Sequence, residues 1–107
     1  MSRRKKTRPA SGEKVEVTLR RMAMVPNKLG MHARPAAQFV KHAEKFQSLV
    51  WVEKDDEIVD GKSIMGLMML AAGKGEKIKI TVVGIDAKEA LKCLVELVKN
   101  GFNDIED

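Results

Sequence analysis

Residues 48–60 read SLVWVEKDDEIVD. The first seven residues suit a β-strand, and Asp55-Asp56-Glu57 has the composition of a polar turn. Ile58 to Asp60 can return as a second, short strand, so the stretch predicts a β-hairpin. A tight turn can join only antiparallel strands. The sequence therefore favours a fold in which helices and strands alternate except at this one strand pair.

The segment before the hairpin contains a strand and then a helix. Apolar and polar residues alternate over residues 15–20, which is strand periodicity. The apolar positions then change parity to Met22 and Met24, so we expect a bulge or an early strand end near Arg20–Arg21. Helical spacing of apolar residues follows, and it predicts a helix from His32 or Ala33 to about Lys45.

The segment after the hairpin adds a short helix, a strand and a long helix. Ser63 is a candidate N-cap for residues 64–71, residues 77–82 alternate as a strand, and Asp86 can cap the final helix. The apolar stripe predicted for that helix is Ala87, Ala90, Leu91, Leu94, Leu97 and Val98. The order β-α-β-β-α-β-α predicts an α+β sandwich, with an antiparallel or mixed sheet covered by helices on one face.

The excess charge of the chain is confined to its first 14 residues. The 107 residues carry a net charge of +5, and residues 1–14 contain six basic residues and one acid, so the remainder is neutral. We expect a disordered basic tail at 1–14 and one compact domain at 15–107. Such a tail can bind nucleic acid, acidic lipid or an acidic partner, or it can be solvated without a specific partner.

The composition also restricts the setting and the chemistry. Cys93 is the only cysteine, and no apolar run is long enough for a membrane span or placed as a secretory signal. These features favour a reducing, cytoplasmic setting. His32 and His42 lie ten residues apart with no cysteine near either, so we expect no metal ion and no other cofactor.

Residues 27–37, NKLGMHARPAA, place a histidine where a helix is predicted to begin. Unpaired N–H groups and the positive end of the helix dipole attract anions there and oppose a protonated imidazole. A neutral imidazole is a nucleophile, and the fork of Arg34 matches a phosphate group. His32 can thus accept a phosphoryl group. Alternatively, His32 only caps the helix and Arg34 is solvated, and these residues alone leave the two interpretations open.

Two motifs resemble those of one family. GMHARPA, followed by a helix, is similar to the active-site signature of HPr, the histidine-containing phosphocarrier of the phosphoenolpyruvate-dependent sugar phosphotransferase system. GKSIMGLMML resembles the family's second signature, around a regulatory serine, and the separation of His32 and Ser63 matches the family pattern. The resemblance covers about residues 17–100. The wording NKLGMHARPA is also similar to the nitrogen-related branch of the family.

The resemblance implies a fold, a role and partners. The implied fold is a βαββαβα open-faced sandwich with a four-stranded antiparallel sheet and three helices on one face. His32 would take a phosphoryl group at Nδ1 from phosphorylated enzyme I and pass it to A components, with Arg34 steadying the phosphoryl oxygens. The protein would be a carrier and not an enzyme, and we expect a cytoplasmic monomer. Ser63 would be a regulatory phosphorylation site for a serine kinase/phosphorylase in some lineages.

The segment from Ile64 to Leu70 is expected to provide a docking surface for these partners. A helix of about two turns that packs on one side cannot bury all of its apolar residues, and methionine suits surfaces that adapt to several partners. The predicted docking residues are Ile64, Met65, Leu67 and Met68. The alternative is a fully buried strand or core helix, because short apolar runs are ambiguous.

Three other functions compete with the phosphocarrier. One is a regulatory binding module of the same fold, controlled by phosphorylation at His32 or Ser63. Another is a small nucleic-acid-binding domain that uses the basic tail, although the neutral remainder argues against it. The third is a phosphoryl hydrolase, for which no base or metal site is evident.

Overall fold

The hairpin at residues 48–60 forms as predicted, from β2 (Leu49–Lys54) and β3 (Glu57–Asp60). Lys54 lies opposite Glu57, so the turn consists of Asp55 and Asp56 alone. Asp55 has a φ of 56°, a left-handed conformation that aspartate adopts more readily than most residues with a side chain.

The computed structural model describes residues 15–104. Its remaining elements are β1 (Val17–Met24), α1 (Ala33–Ala43), α2 (Ile64–Met69), β4 (Lys77–Gly84) and α3 (Ala87–Lys99), followed by a short 3-10 turn at Gly101–Asn103. The order is the predicted βαββαβα. The basic tail predicted at 1–14 lies outside the described residues, as do residues 105–107. Within 15–104, no helix is both long and apolar enough to cross a membrane.

The four strands form one antiparallel sheet in the order β1-β4-β2-β3. Ile78, Ile80 and Val82 of β4 are fully buried beneath the helices. The apolar stripe predicted for α3 is also buried, together with Val95. The three helices cover one face of the sheet and leave the other open, which confirms the predicted α+β sandwich.

The bulge or early strand end predicted near Arg20–Arg21 is wrong. β1 pairs with β4 in one uninterrupted register, from Val17 opposite Gly84 to Met24 opposite Lys77. The odd-numbered residues of β1 face the core, and Ala23 among them is buried. Met22 and Met24 are exposed. The parity change arises because apolar side chains lie on the open face of the sheet, not because the strand is distorted.

Asp86 occupies the N-cap position of α3, but its side chain does not cap the helix. Its carboxylate accepts hydrogen bonds from the backbone N–H groups of Gln47 and Ser48, at 2.8 and 3.0 Å, and from the Ser48 hydroxyl. Burial alone would raise the pKa of Asp86, but these hydrogen bonds together lower it. Asp86 therefore fastens the segment before β2 to the start of α3.

Candidate functional site

The loop before α1 is joined to the loop before β4 by a backbone hydrogen bond, and a second hydrogen bond lies within the loop itself. Met31 donates its N–H to the Ala72 carbonyl at 2.9 Å, and the buried Asn27 amide donates to the Gly30 carbonyl at 2.6 Å. Gly30 has a φ of +68°, and a Cβ there would lie 2.4 Å from the Ala72 oxygen. Only glycine fits this close approach. The loop thus fixes the point at which α1 begins.

The loop that receives Met31 is itself anchored by a lysine. The Lys54 ammonium donates to the carbonyls of Leu70 and Ala71 and lies 3.2 Å from the Glu76 carboxylate. That carboxylate also accepts the Gly73 N–H, and this bond and the contacts with Lys54 lower the pKa of Glu76. A chain of polar contacts therefore runs from the end of α2 to the loop that precedes His32.

His32 is the N-cap residue of α1, with an extended backbone and no hydrogen bond from its ring to the helix. Its carbonyl accepts the Ala36 N–H at 3.0 Å, which is the first bond of the helix. The simpler interpretation, in which the imidazole caps the helix, is therefore not what the structure shows. The ring is available for another role.

The two nitrogens of the His32 ring have different surroundings. Nε2 is buried, has no aligned hydrogen bond within residues 15–104, and lies 3.3 Å from Oδ2 of Asp104. Nδ1 has no hydrogen-bond partner in that part of the chain either. It is absent from the buried unpartnered atoms, so it reaches the surface. The geometry presents Nδ1 outwards and directs Nε2 towards a carboxylate.

Asp104 also binds Arg34 and was not anticipated from the sequence. Its side chain is 3% exposed, and its Oδ1 accepts a hydrogen bond from Arg34 Nε at 2.5 Å. The Arg34 hydrogen bond is the main cause that holds the pKa of Asp104 below its usual value, and the charge of Arg34 lowers it further, although burial acts in the opposite direction. Arg34 itself is 64% exposed, so its guanidinium can meet an incoming anion.

The turn after α3 brings Asp104 to the site. Phe102 is fully buried and has a φ of 62°, an uncommon conformation for a bulky residue. The Asp104 N–H donates to the Gly101 carbonyl at 3.0 Å. No local pattern in the sequence distinguishes Asp104 from the other acids of the C-terminal segment, and Arg34 is 70 residues away.

Ser63 caps α2 as predicted. Its Oγ accepts the Gly66 N–H at 3.0 Å. Within residues 15–104, no hydrogen bond joins Ser63 to His32, although α1 and α2 pack against each other. His42 lies farther along α1, where its Nδ1 is 2.9 Å from the Gln38 carbonyl.

The surface of α2 is partly the predicted one. Ile64, Met65 and Met68 are exposed, so the alternative of a fully buried segment is wrong. Leu67, however, is fully buried and cannot be a docking residue. Met69 is 72% exposed and was missed. A helix of six residues turns one side chain in three or four towards the core, and the sequence alone did not show which one.

The phosphotransferase-system HPr family model, described as the HPr component phosphorylation site, matches residues 19–100. The chain belongs to the HPr family. HPr proteins are phosphocarriers of the phosphotransferase system, and phosphoryl transfer is their general role. This identification confirms the resemblance carried by the two sequence motifs.

Individual HPr relatives agree with the family model. The chain is 47% identical over 88 residues to the phosphocarrier protein HPr of Neisseria meningitidis serogroup A, which covers 82% of this chain and 99% of the relative. HPr-C-His from Thermoanaerobacter tengcongensis superposes with a TM-score of 0.73 at 46% identity, covering 86% of this chain and 99% of that one.

A third relative differs in its described role. The Bacillus subtilis catabolite repression containing protein Crh has a TM-score of 0.64 and 45% identity, covering 70% of this chain and 86% of its own, and it was seen as a domain-swapped dimer. The comparisons thus include both phosphocarriers and an HPr-like protein named for catabolite repression.

Proposed function

We propose that this chain carries a phosphoryl group on Nδ1 of His32, taken from phosphorylated enzyme I and passed to A components of the phosphotransferase system. The observation that carries the proposal is the difference between the surroundings of the two imidazole nitrogens. Nε2 is buried near Asp104, whereas Nδ1 is at the surface without a partner in residues 15–104. The protein acts as a carrier because the group that it receives leaves again.

The Asp104 carboxylate favours the tautomer of the His32 ring that has its lone pair on Nδ1. A neutral imidazole holds its proton on one nitrogen and a lone pair on the other. A carboxylate 3.3 Å from Nε2 attracts a proton to that atom. Nδ1 then retains the lone pair. That pair attacks phosphorus, a bond from Nδ1 to phosphorus forms, and the bond from phosphorus to the donor breaks with its electrons returning to the donor.

Arg34 stabilises the transferred group. Its guanidinium has five N–H donors, and Nε already donates to Asp104. Asp104 therefore holds the arginine beside the ring before a phosphoryl group arrives. Contacts to phosphoryl oxygens are charge-assisted, and these are among the stronger hydrogen bonds. A carrier needs a bond of intermediate stability, and competition between Asp104 and the phosphoryl group for Arg34 limits how tightly the group is held.

The exposed residues of α2 provide the docking surface for enzyme I and the A components. Ile64, Met65, Met68 and Met69 form an apolar patch on the helix that packs against α1. Flexible methionines can fit several partners. The acceptor branch, sugar-related or nitrogen-related, and the monomeric state and cytoplasmic location stay predictions.

Phosphorylation with purified enzyme I and phosphoenolpyruvate tests the proposal. Intact mass should show one added phosphoryl group, and that group should be acid-labile, as expected of phosphohistidine. His32→Ala should abolish labelling, and His42→Ala is the matched control because His42 is the other histidine of the chain. Labelling of the His32→Ala protein to the full extent would exclude His32 as the acceptor.

A second candidate is a regulatory module whose phosphorylation controls partner proteins. Two observations favour it: Ser63 stands at the start of the exposed helix α2, and Crh, named for catabolite repression, is among the relatives. Transfer from phosphorylated protein to purified A components distinguishes the two. A protein that accepts a phosphoryl group but passes it to none of them would favour the regulatory role.

A further inference from the structure

Charge is separated across the sheet, although the domain is close to neutral. Residues 53–60, at the β2–β3 end, contain five acids and one lysine. At the opposite edge, β1 and α3 carry the cations Arg20, Arg21, Lys88, Lys92 and Lys99. The net charge of the domain does not show this separation, because it sums the charges at both edges of the sheet.

The cations at the β1 edge line a groove of about 510 Å³ between β1 and α3, which we call the basic groove. Among residues 15–104, Glu96 is the one acid that lines it. None of the five cations forms an ion pair with a residue between 15 and 104. Their charge is therefore available to a partner, and the side chains are not committed to the fold.

The floor of the basic groove is apolar. Leu19, Leu91 and Val95 line it, and Leu19 is partly exposed while the two α3 residues belong to the core. No aromatic residue of the described part of the chain lines the groove. Proteins that bind single-stranded nucleic acid usually stack bases on aromatic side chains. The combination of cations with an aliphatic floor suits acidic and apolar side chains together.

The free edge of β1 supplies the remaining feature. β1 pairs only with β4 in the sheet of residues 15–104, so alternate N–H and C=O groups of β1 point away from the sheet. Arg20 and Arg21 are adjacent, so their side chains flank this edge from opposite faces. Lys88 and Lys92 are about 6 Å apart along α3, close to the spacing of roughly 6.6 Å between alternate residues of a strand.

We propose that the basic groove binds an extended acidic peptide segment of a partner protein, which adds to β1 as a fifth strand. Its backbone would pair with the free edge, its carboxylates would meet the lysines of α3, and its apolar side chains would contact Leu91 and Val95. Strand addition of this kind takes affinity from main-chain hydrogen bonds and specificity from alternate side chains. The inference does not depend on the role of His32.

Binding of a short peptide of alternating glutamate and valine to the full-length protein tests this proposal. The control peptide has glutamine in place of glutamate. Amide NMR shifts should be concentrated in β1 and α3, and the affinity should fall as salt is added. The peptide should also protect outward N–H groups of β1 from exchange. Shifts confined to α1 and α2, or equal binding of the glutamine peptide, would overturn the proposal.

Charge-reversal variants locate the site. Lys88→Glu with Lys92→Glu should weaken peptide binding about 10- to 100-fold, because like charges across an interface are strongly unfavourable. Lys41→Glu with Lys45→Glu, also exposed but outside the basic groove, should leave binding unchanged. Phosphorylation of His32 at the native rate in both double variants would show that they are folded, and it separates this test from that of the carrier function.

Different results are expected if the peptide binds elsewhere or if the basic groove binds another kind of partner. Replacing Arg3, Arg4, Lys5 and Lys6 by serine in the full chain should leave peptide binding intact. Loss of binding in that variant, with retention in Lys88→Glu/Lys92→Glu, would assign binding to the basic tail instead. Displacement of the peptide by a single-stranded oligonucleotide or by anionic vesicles, or salt-sensitive self-association that blocks the peptide, would contradict the proposed partner.

Discussion

The Arg34 guanidinium contacts Asp104 in the unphosphorylated protein, so a phosphoryl group on His32 must share or take over this arginine. Arg34→Ala should slow transfer by roughly 10- to 150-fold, since a lost charge-assisted contact is worth on the order of 1.5–3 kcal/mol. Arg34→Lys keeps the charge without the fork and should be intermediate. Rapid-quench transfer kinetics measure this, and native rates in a folded Arg34→Ala protein would remove Arg34 from the mechanism.

The contact between Arg34 and Asp104 also makes stability depend on pH. The pKa of Asp104 is below its usual value of 3.8 in the folded state. The ionised carboxylate of Asp104 therefore stabilises the fold fully above pH 3.8. This contribution to stability is lost as the pH falls through the lower pKa of the folded state. Asp104→Asn should lower Tm at neutral pH, and the difference from the parent protein should shrink below pH 3.8. A difference that is the same at all pH values would contradict the ion pair.

At the level of elements, α2 contains one buried residue that stabilises the fold and several exposed residues that are available to bind partners. Leu67 is fully buried, whereas Met65 is 71% exposed. Leu67→Ala should cost about 2–5 kcal/mol of unfolding free energy, and Met65→Ala should stay within about 0.5 kcal/mol. Urea unfolding compares the two. Met65→Ala should instead raise the KM for phosphorylation by enzyme I, and an unchanged KM would exclude Met65 from the docking surface.

Substitutions of Ser63, the N-cap of α2, distinguish a structural role of this residue from a regulatory one. Ser63→Ala should cost about 0.5–2 kcal/mol because the Gly66 N–H loses its partner. Ser63→Asp should retain near-native thermal stability, since aspartate also caps helices and its charge suits the helix N-terminus. It should nevertheless slow phosphorylation of His32 by placing negative charge beside the docking surface. A mimic that transfers at the native rate would leave Ser63 with a structural role only.

At the scale of the whole molecule, the sequence predicted what depends on local periodicity. The element order, the buried face of β4, the Ser63 cap and the position of His32 at a helix start all follow from neighbouring residues. The contacts that Asp104 and Asp86 make could not be predicted in this way, because their partners Arg34 and Ser48 are 70 and 38 residues distant. The charge polarity of the domain likewise appears only when the sheet order places β1 and β3 at opposite edges.

The central claim is that Nδ1 of His32 is the phosphoryl acceptor, and the position of the phosphorus nucleus tests it most directly. NMR of the ¹⁵N-labelled protein, phosphorylated with phosphoenolpyruvate and enzyme I, can show which ring nitrogen is coupled to ³¹P. The account predicts coupling to Nδ1 of His32 alone, with a proton retained on Nε2 next to Asp104. Coupling to Nε2, or a phosphoryl group on His42, would contradict it.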